Sequence, residues 1–403
     1  MADSAAVLDA PRSSVRRVTL AVAAAGVCSF TLLYAPQAVL PQLAEQYALD
    51  PGRASLAVSV ATGALAVAVL PIAVLSEIVG RRPVILTSVL ASAALGLVLP
   101  FAPSFEVLLA LRVLQGVAIA GFPGVASAYL AERLGRSGVA AAVGAMIAGN
   151  TLGGMLGRLT AGFTTDWLGW RGALTAVGSV ALVCALVTVA TLPGVPRRDT
   201  GRPRLRGVVA GLGVAVRDPL LVAQYAVAML GMGSFVALYN VAGFRLTGQP
   251  LNLSTAVASL VFLAYAVGTL ASASSGRLVA RFGRRRSLLA GIGATAAGAA
   301  LTLPDSLVAV AAGFLVFTFG FFTAHSVANG WAAAEAPPGA RGQVSGLYNL
   351  AYYLGSSVGG TLGSVVYGHA GWGWLVATVV GWQALAMLSS RPPRRRAART
   401  PRG

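Results

Sequence analysis

Three basic side chains, Arg112, Arg158 and His325, lie inside long apolar stretches of this 403-residue chain. A charge in such a stretch is costly unless it faces a polar cavity or a partner. An arginine there is a functional candidate by default, the alternative being a side chain that snorkels to an interface. A histidine titrates near neutral pH, so it can handle a proton or bind a ligand, or it can be a satisfied structural group. His325 shares a helix face with Asn329, four residues on. None of the 12 acidic residues falls centrally in an apolar stretch. No nucleophile–base set, metal-ligand cluster or phosphate loop stands in a plausible context, so the chain does not read as an enzyme and calls for no cofactor. A neutral-to-cationic set suits neutral polar, aromatic or anionic small molecules better than cations.

The elements that position these groups follow from composition. The chain is 56% hydrophobic and 10% charged, against about 25% charged for globular domains. The apolar residues form about twelve runs of roughly 17–27 residues, each long enough to cross the hydrocarbon core as a helix. The runs are continuous rather than alternating, so they are helices and not barrel strands. The expected spans are 18–41, 54–76, 84–101, 106–130, 138–164 and 172–193, then 219–244, 254–276, 287–303, 306–333, 342–367 and 372–390. The expectation is an all-α polytopic membrane protein with 12 transmembrane helices. Its tails are residues 1–17 and 391–403, and its two six-helix halves are 18–193 and 219–390, joined by a linker over 194–218.

The net charge of +18 comes entirely from arginine on the basic side, with no lysine. Of the 30 arginines, 25 fall on one side of the expected membrane. Three (Arg53, Arg171, Arg245) fall on the other and two (Arg112, Arg158) within spans. That asymmetry puts both termini in the cytoplasm. The charge therefore belongs to membrane topology rather than to a nucleic-acid surface, and the Arg394–Arg396 run suits anionic lipid headgroups. Cys28 and Cys184 read as small packing residues within spans.

The halves repeat each other. Glu77-Ile-Val-Gly80-Arg81-Arg82 returns as Ala280-Arg281-Phe-Gly283-Arg284-Arg285, with Gly80 and Gly283 203 positions apart. Ser29-Phe30-Thr-Leu-Leu-Tyr34 returns as Ser234-Phe235-Val-Ala-Leu-Tyr239, an offset of 205. Gly149-Asn150-Thr-Leu-Gly153-Gly154-Met-Leu-Gly157 returns as Gly355-Ser-Ser-Val-Gly359-Gly360-Thr-Leu-Gly363, an offset of 206. Two copies with the same topology imply parallel repeats about an axis along the membrane normal.

On these residues the chain resembles the major facilitator superfamily over essentially its full length. Its loop after the second span is similar to the superfamily signature Gly-x-x-x-Asp-Arg-x-Gly-Arg-Arg, with Ala73, Glu77 and Ile78 replacing the glycine, acid and first arginine. Leu108-x-x-x-Arg112-x-x-Gln115-Gly116 resembles the fourth-helix motif of proton-coupled exporters. Gly144-x(4)-Gly149-Asn150-x-x-Gly153-Gly154-x-x-Gly157 resembles the fifth-helix motif of drug/proton antiporters, with Asn150 where that motif has proline. The strings Gly153-Gly154-Met155-x-Gly157-Arg158, Met232-Gly233-Ser234-Phe235, Ala324-His325-Ser326 and Tyr352-Tyr353-Leu354-Gly355 are similar to bacterial YnfM-type inner-membrane exporters, grouped with arabinose or drug efflux permeases.

The resemblance implies a monomer in a bacterial cytoplasmic membrane that exports a small molecule, a drug, sugar or metabolite, by alternating access. Protons are the implied coupling ion; an uncoupled sugar or metabolite uniporter or importer is the other reading. It also implies a central cavity lined by Tyr34, Gln37, Arg112, Gln115, Asn150, Arg158, Tyr239, Asn240, His325 and Asn329. The loops bearing Glu77, Gly80, Arg81 and Arg82, and Arg281, Gly283, Arg284 and Arg285, are implied latches between the halves. Gly149, Gly153, Gly154 and Gly157 are implied packing or hinge positions, and close packing is also what such glycine spacing does in general.

Overall fold

The computed structural model describes residues 12–134, 136–194, 205–337 and 339–390. The start of the N-terminal tail, residues 195–204 of the linker, and the 391–403 tail with Arg394–Arg396 lie outside the described residues.

The described chain is helical throughout. In order come α1 (Arg12–Tyr34), α2 (Leu40–Gln46), α3 (Pro51–Val79), α4 (Arg81–Val98), α5 (Phe105–Ala120), α6 (Ala126–Arg133) and α7 (Arg136–Thr191). They are followed by α8 (Leu205–Arg217), α9 (Pro219–Thr247), α10 (Thr255–Ser259), α11 (Ala264–Phe282), α12 (Arg284–Leu301), α13 (Leu307–Glu335) and α14 (Arg341–Ser389). Caps stand where the expected spans begin. Asp50 accepts from the Arg53 amide ahead of α3, with Pro51 at the first helical position. Asp218 accepts from the Leu220 and Leu221 amides ahead of α9, again before a proline.

Eight helical stretches are long and apolar enough to cross a membrane. Two of them, Ala141–Thr191 and Arg341–Ser389, run for 51 and 49 residues. At 1.5 Å per residue each is about twice what one crossing of roughly 30 Å needs. Both reverse at a single left-handed glycine, Gly169 (φ 64°) in α7 and Gly371 (φ 79°) in α14. The turns expected at 164–172 and 367–372 are therefore single-residue breaks rather than loops. Elsewhere expected single spans are subdivided. The first passes through a 3-10 segment, Ala35–Val39, containing Pro36, and runs on to Gln46. The fourth breaks between α5 and α6. Part of the expected linker is helical, as α8.

The halves pack along glycine seams. A β-carbon on Gly149, Gly153 or Gly157 of α7 would meet the backbone of Ala23, Val27 or Thr31 of α1 at 2.3–2.6 Å. In the second half Gly355 and Gly359 of α14 would meet Met229 and Gly233 of α9 at 2.2–2.3 Å, and Gly363 would meet Ala237. Lipid tails are as apolar as the helices, so such close approach, not a hydrophobic drive, is what holds them together.

Candidate functional site

Arg158 stands at the join of the two halves. It follows the α7 seam by one residue, so the helix turns it off that seam, toward the end of α1 and the second half. It is 1% exposed. Its Nε donates to Gln37 Oε1 at 2.6 Å and its Nη1 to the Gly154 carbonyl at 2.6 Å. Its guanidinium carbon lies 4.5 Å from the Tyr34 ring centre, 4.6 Å from Tyr265 and 5.2 Å from Phe262. Such contacts are each worth about 0.5–2 kcal/mol. Gln37 then donates through Nε2 to Asn240 Oδ1 of α9 at 2.6 Å, which ties one half to the other. The Asn240 Nδ2 is buried with no partner among the described residues. Gly154 and Gly360, at equivalent places in the repeat, make room for this cluster. A β-carbon on Gly154 would press Arg158 Nη1 at 3.2 Å, and one on Gly360 would press Asn240 Nδ2 at 3.0 Å. Tyr34, Gln37, Arg158 and Asn240 thus come together as expected. Phe262 and Tyr265 join them without having been picked out, because nothing local to their sequence marks them.

Arg112 and Gln115 lie elsewhere, which corrects their expected place in the cavity. Arg112 is fully buried within the first half. It donates to the carbonyls of Ala57 (2.6 Å), Leu32 (3.0 Å) and Leu33 (2.6 Å), and to Gln115 Oε1 at 2.5 Å. Gln115 donates onward to the Ser92 carbonyl of α4 at 3.1 Å. This is a brace among α1, α3, α4 and α5, with the guanidinium held inward rather than snorkelling to an interface. Asn150 likewise belongs to the α1–α7 seam, where a β-carbon on Gly26 would lie 2.5 Å from its Oδ1. Tyr239 is buried in an aromatic cluster, stacked on Phe262 and bonded at 2.7 Å to Thr318.

His325 is separate again, between α13 and the first part of α14. Tyr348 Oη lies 3.0 Å from its Nδ1 and donates to its backbone carbonyl at 3.1 Å. With that phenolic proton on the carbonyl, Nδ1 carries the ring hydrogen and Nε2 is the basic nitrogen. The ring stands 4.8 Å from Tyr352 and 5.8 Å from Phe321, and it lines a small void with Gly231, Thr295 and Gln383. Asn329, one turn on, is exposed and outside this group.

The sequence model of the Major Facilitator Superfamily matches residues 22–360 and, in an overlapping placement, 246–403. The chain belongs to that superfamily. It is 38% identical to the inner membrane transport protein YnfM of Escherichia coli (strain K12) over 372 residues, 92% of this chain and 89% of that protein. It is 37% identical to the uncharacterized MFS-type transporter YybF of Bacillus subtilis (strain 168) over 362 residues, 89% of this chain and 88% of that protein. Its fold superposes on a bacterial homologue of the lysosomal transporter Spinster, in an inward-facing and unoccupied conformation, with TM-score 0.80 at 18% identity, covering 95% and 98% of the two chains. This superfamily protein is a multi-pass membrane transporter and not an enzyme.

The superfamily loops are duplicated in geometry as well as in sequence. Gly80 (φ 104°) and Gly283 (φ 79°) end α3 and α11 in the left-handed region, which lets the chain re-enter a helix at once. Arg81 then meets Glu132 at 2.5 Å and Arg284 meets Glu335 at 2.8 Å, each pair 51 residues apart. Arg82 donates to the Leu192 carbonyl at the end of α7 at 2.9 Å. Both ion pairs close within one half, so neither fastens the halves to each other in this conformation, which is closed at the other end; the latch is expected when the protein is open to the outside. Glu77, Arg281 and Arg285 are exposed and take part in none of the described ion pairs. The pairs are partly exposed, and such pairs contribute about 0–1 kcal/mol each. Glu132→Gln should therefore lower thermal stability by less than about 1 kcal/mol, read by thermal unfolding in detergent; a larger loss would mean the loop carries more than a surface ion pair.

The halves pack along α3 and α14, where a β-carbon on Gly346 would meet Leu70 at 2.8 Å, and their further polar contacts lie at the opposite end. Gln42 donates to Thr255 at 2.7 Å, the Ala256 amide donates to Asp166 at 3.1 Å, and Gly243 packs on Pro41. Midway, Ser357 donates to the Ser59 carbonyl at 2.7 Å.

Proposed function

We propose that this transporter spans the bacterial cytoplasmic membrane twelve times as a monomer, with the arginine-bearing end in the cytoplasm, and exports a small molecule by rocking its two halves. The twelve crossings are the eight long stretches, two of them doubled at Gly169 and Gly371, together with α5–α6 and α12. The observation that carries the reading is the Arg158–Gln37–Asn240 chain, which joins the halves at a buried polar centre while the end remote from the arginine loops is closed. A centre that both halves share is reshaped when they rock, as alternating access requires. Export, a sense shared with the YnfM-type resemblance, is coupled to proton entry, with His325 as the proton-accepting group. A second reading, uniport, is favoured by one observation: Arg158, Arg112 and His325 appear in none of the described ion pairs, so no buried carboxylate is there to exchange a proton.

The test is substrate-dependent proton movement in proteoliposomes holding a pH dye, over antibiotics, sugars and organic anions, with His325→Ala and Arg158→Gln. Antiport predicts a pH signal that His325→Ala abolishes while substrate binding persists. Flux without a pH signal, unchanged in His325→Ala, selects uniport.

A further inference from the structure

We infer that the transported molecule is a small organic acid, and that its carboxylate opens the central tie by taking Arg158 from Gln37. The inference rests on the transporter reading above and names its substrate class.

Arg158 is a buried cation with no acid beside it among the described ion pairs. Its Nε and Nη1 are held by an amide oxygen and a peptide oxygen, both neutral acceptors, and its Nη2 has no hydrogen bond to the described residues. The faces of Tyr34, Tyr265 and Phe262 stabilise the charge without neutralising it. A carboxylate is a stronger and often bidentate acceptor for a guanidinium, so it displaces a neutral amide oxygen. The amide that yields is Gln37, and a small void beside it is lined by Pro41, Gly243, Ser259 and Phe262 from the two halves. Gln37 also makes the bond to Asn240. Losing Arg158 frees Gln37 to turn, and the link between the 3-10 segment after α1 and α9 weakens as the substrate arrives. The ligand thereby binds the two states unequally, which is the only way binding can shift a conformational equilibrium. The direction of export agrees, since a cytoplasm at negative potential drives an anion outward by about 2.3 kcal/mol per charge per 100 mV.

The experiment uses purified full-length protein with Cys28→Ala and Cys184→Ala, carrying Gln42→Cys and Thr255→Cys as a cross-linkable pair at the closed end. Benzoate, 3-phenylpropionate and hexanoate are compared with their carboxamides and with 2-phenylethylammonium. Thermal unfolding reads binding, and the rate of 42–255 cross-linking reads opening. At least one acid should bind about tenfold more tightly than its amide and slow cross-linking. Arg158→Gln should erase that preference, Arg158→Lys should retain part of it, and Gln37→Leu should strengthen acid binding by removing the competing acceptor. Amides equal to acids, a preference surviving in Arg158→Gln, or no acid binding at millimolar concentration each overturn the inference. Acids that bind and slow cross-linking but do not cross proteoliposomes also overturn it, since the acid is then a ligand and not the transported molecule, whereas flux of other solutes with no acid binding leaves the transporter reading standing.

Discussion

Replacing Arg112 by leucine is expected to cost about 2–4 kcal/mol of stability, and adding Pro36→Ala to restore part of that loss. The cause lies in the backbone of α1. In a helix the carbonyl of residue 32 accepts from the amide of residue 36, and residue 36 is a proline with no N–H. That carbonyl is orphaned inside the membrane, where an unmet backbone group finds no water. Arg112 Nη1 reaches it at 3.0 Å, and Nη2 takes the adjacent Leu33 carbonyl at 2.6 Å. The repeat supports the pairing. Val241 stands where the second half would have the proline, Leu315 stands where it would have the arginine, and neither half has one without the other. Leucine at 112 leaves the carbonyl and Gln115 unmet. Alanine at 36 returns an amide that can serve Leu32, or Leu33 in the 3-10 geometry of Ala35–Val39. Thermal unfolding of the four proteins of this double-mutant cycle measures the coupling; losses that simply add would show that Arg112 braces something other than the proline break. Arg158-dependent ligand binding should persist in every variant that folds.

The physical reach of sequence reading is visible in these two arginines. Both were conspicuous as charges in apolar runs, and burial bears that out for each. Their roles differ because of partners up to 80 residues away for Arg112 and 121 for Arg158. Arg112 stood out as a charge and Pro36 did not, and only packing shows that one supplies what the other lacks. Gln37 and Asn240 were expected in one cavity from the superfamily resemblance, whereas the rings of Phe262 and Tyr265 reach Arg158 only through the docking of one half on the other. The left-handed glycines at 80 and 283 were legible, since two Gly-Arg-Arg strings at one offset demand one backbone turn twice. The reversals at Gly169 and Gly371 were expected as short loops, the first between Asp166 and Arg171, but not as single-residue breaks. Trp167-Leu-Gly169-Trp170 is apolar and aromatic, as residues at a membrane interface are, so composition alone gave no sign of a one-residue hairpin. Length did, because 51 helical residues exceed one crossing.

Gly153→Val should be among the most damaging single changes in the protein, and Gly144→Ala among the least, although both glycines belong to one sequence motif. A β-carbon at 153 would lie 2.6 Å from the Val27 carbonyl oxygen and 2.7 Å from the Val27 α-carbon, whereas at 144 it would meet nothing within 4 Å. The obstacle at 153 is backbone, which cannot rotate aside, so α1 and α7 must separate along their length. Overpacking in cores costs roughly 1–3 kcal/mol, and a seam between two backbones belongs at or above the top of that range. Separation also forfeits the contacts at Gly149 and Gly157 and pulls Arg158 away from Gln37, so binding fails together with stability. At 144, alanine adds helix propensity, worth about 1 kcal/mol over glycine, at no steric cost. Gly359→Val tests the same physics in the second half, where its β-carbon would lie 2.3 Å from the Gly233 α-carbon. The measurement is the fraction of monodisperse protein surviving a temperature ramp in detergent. Gly153→Val melting alongside Gly144→Ala would show that the seam yields, and that the repeated glycines serve motion rather than packing.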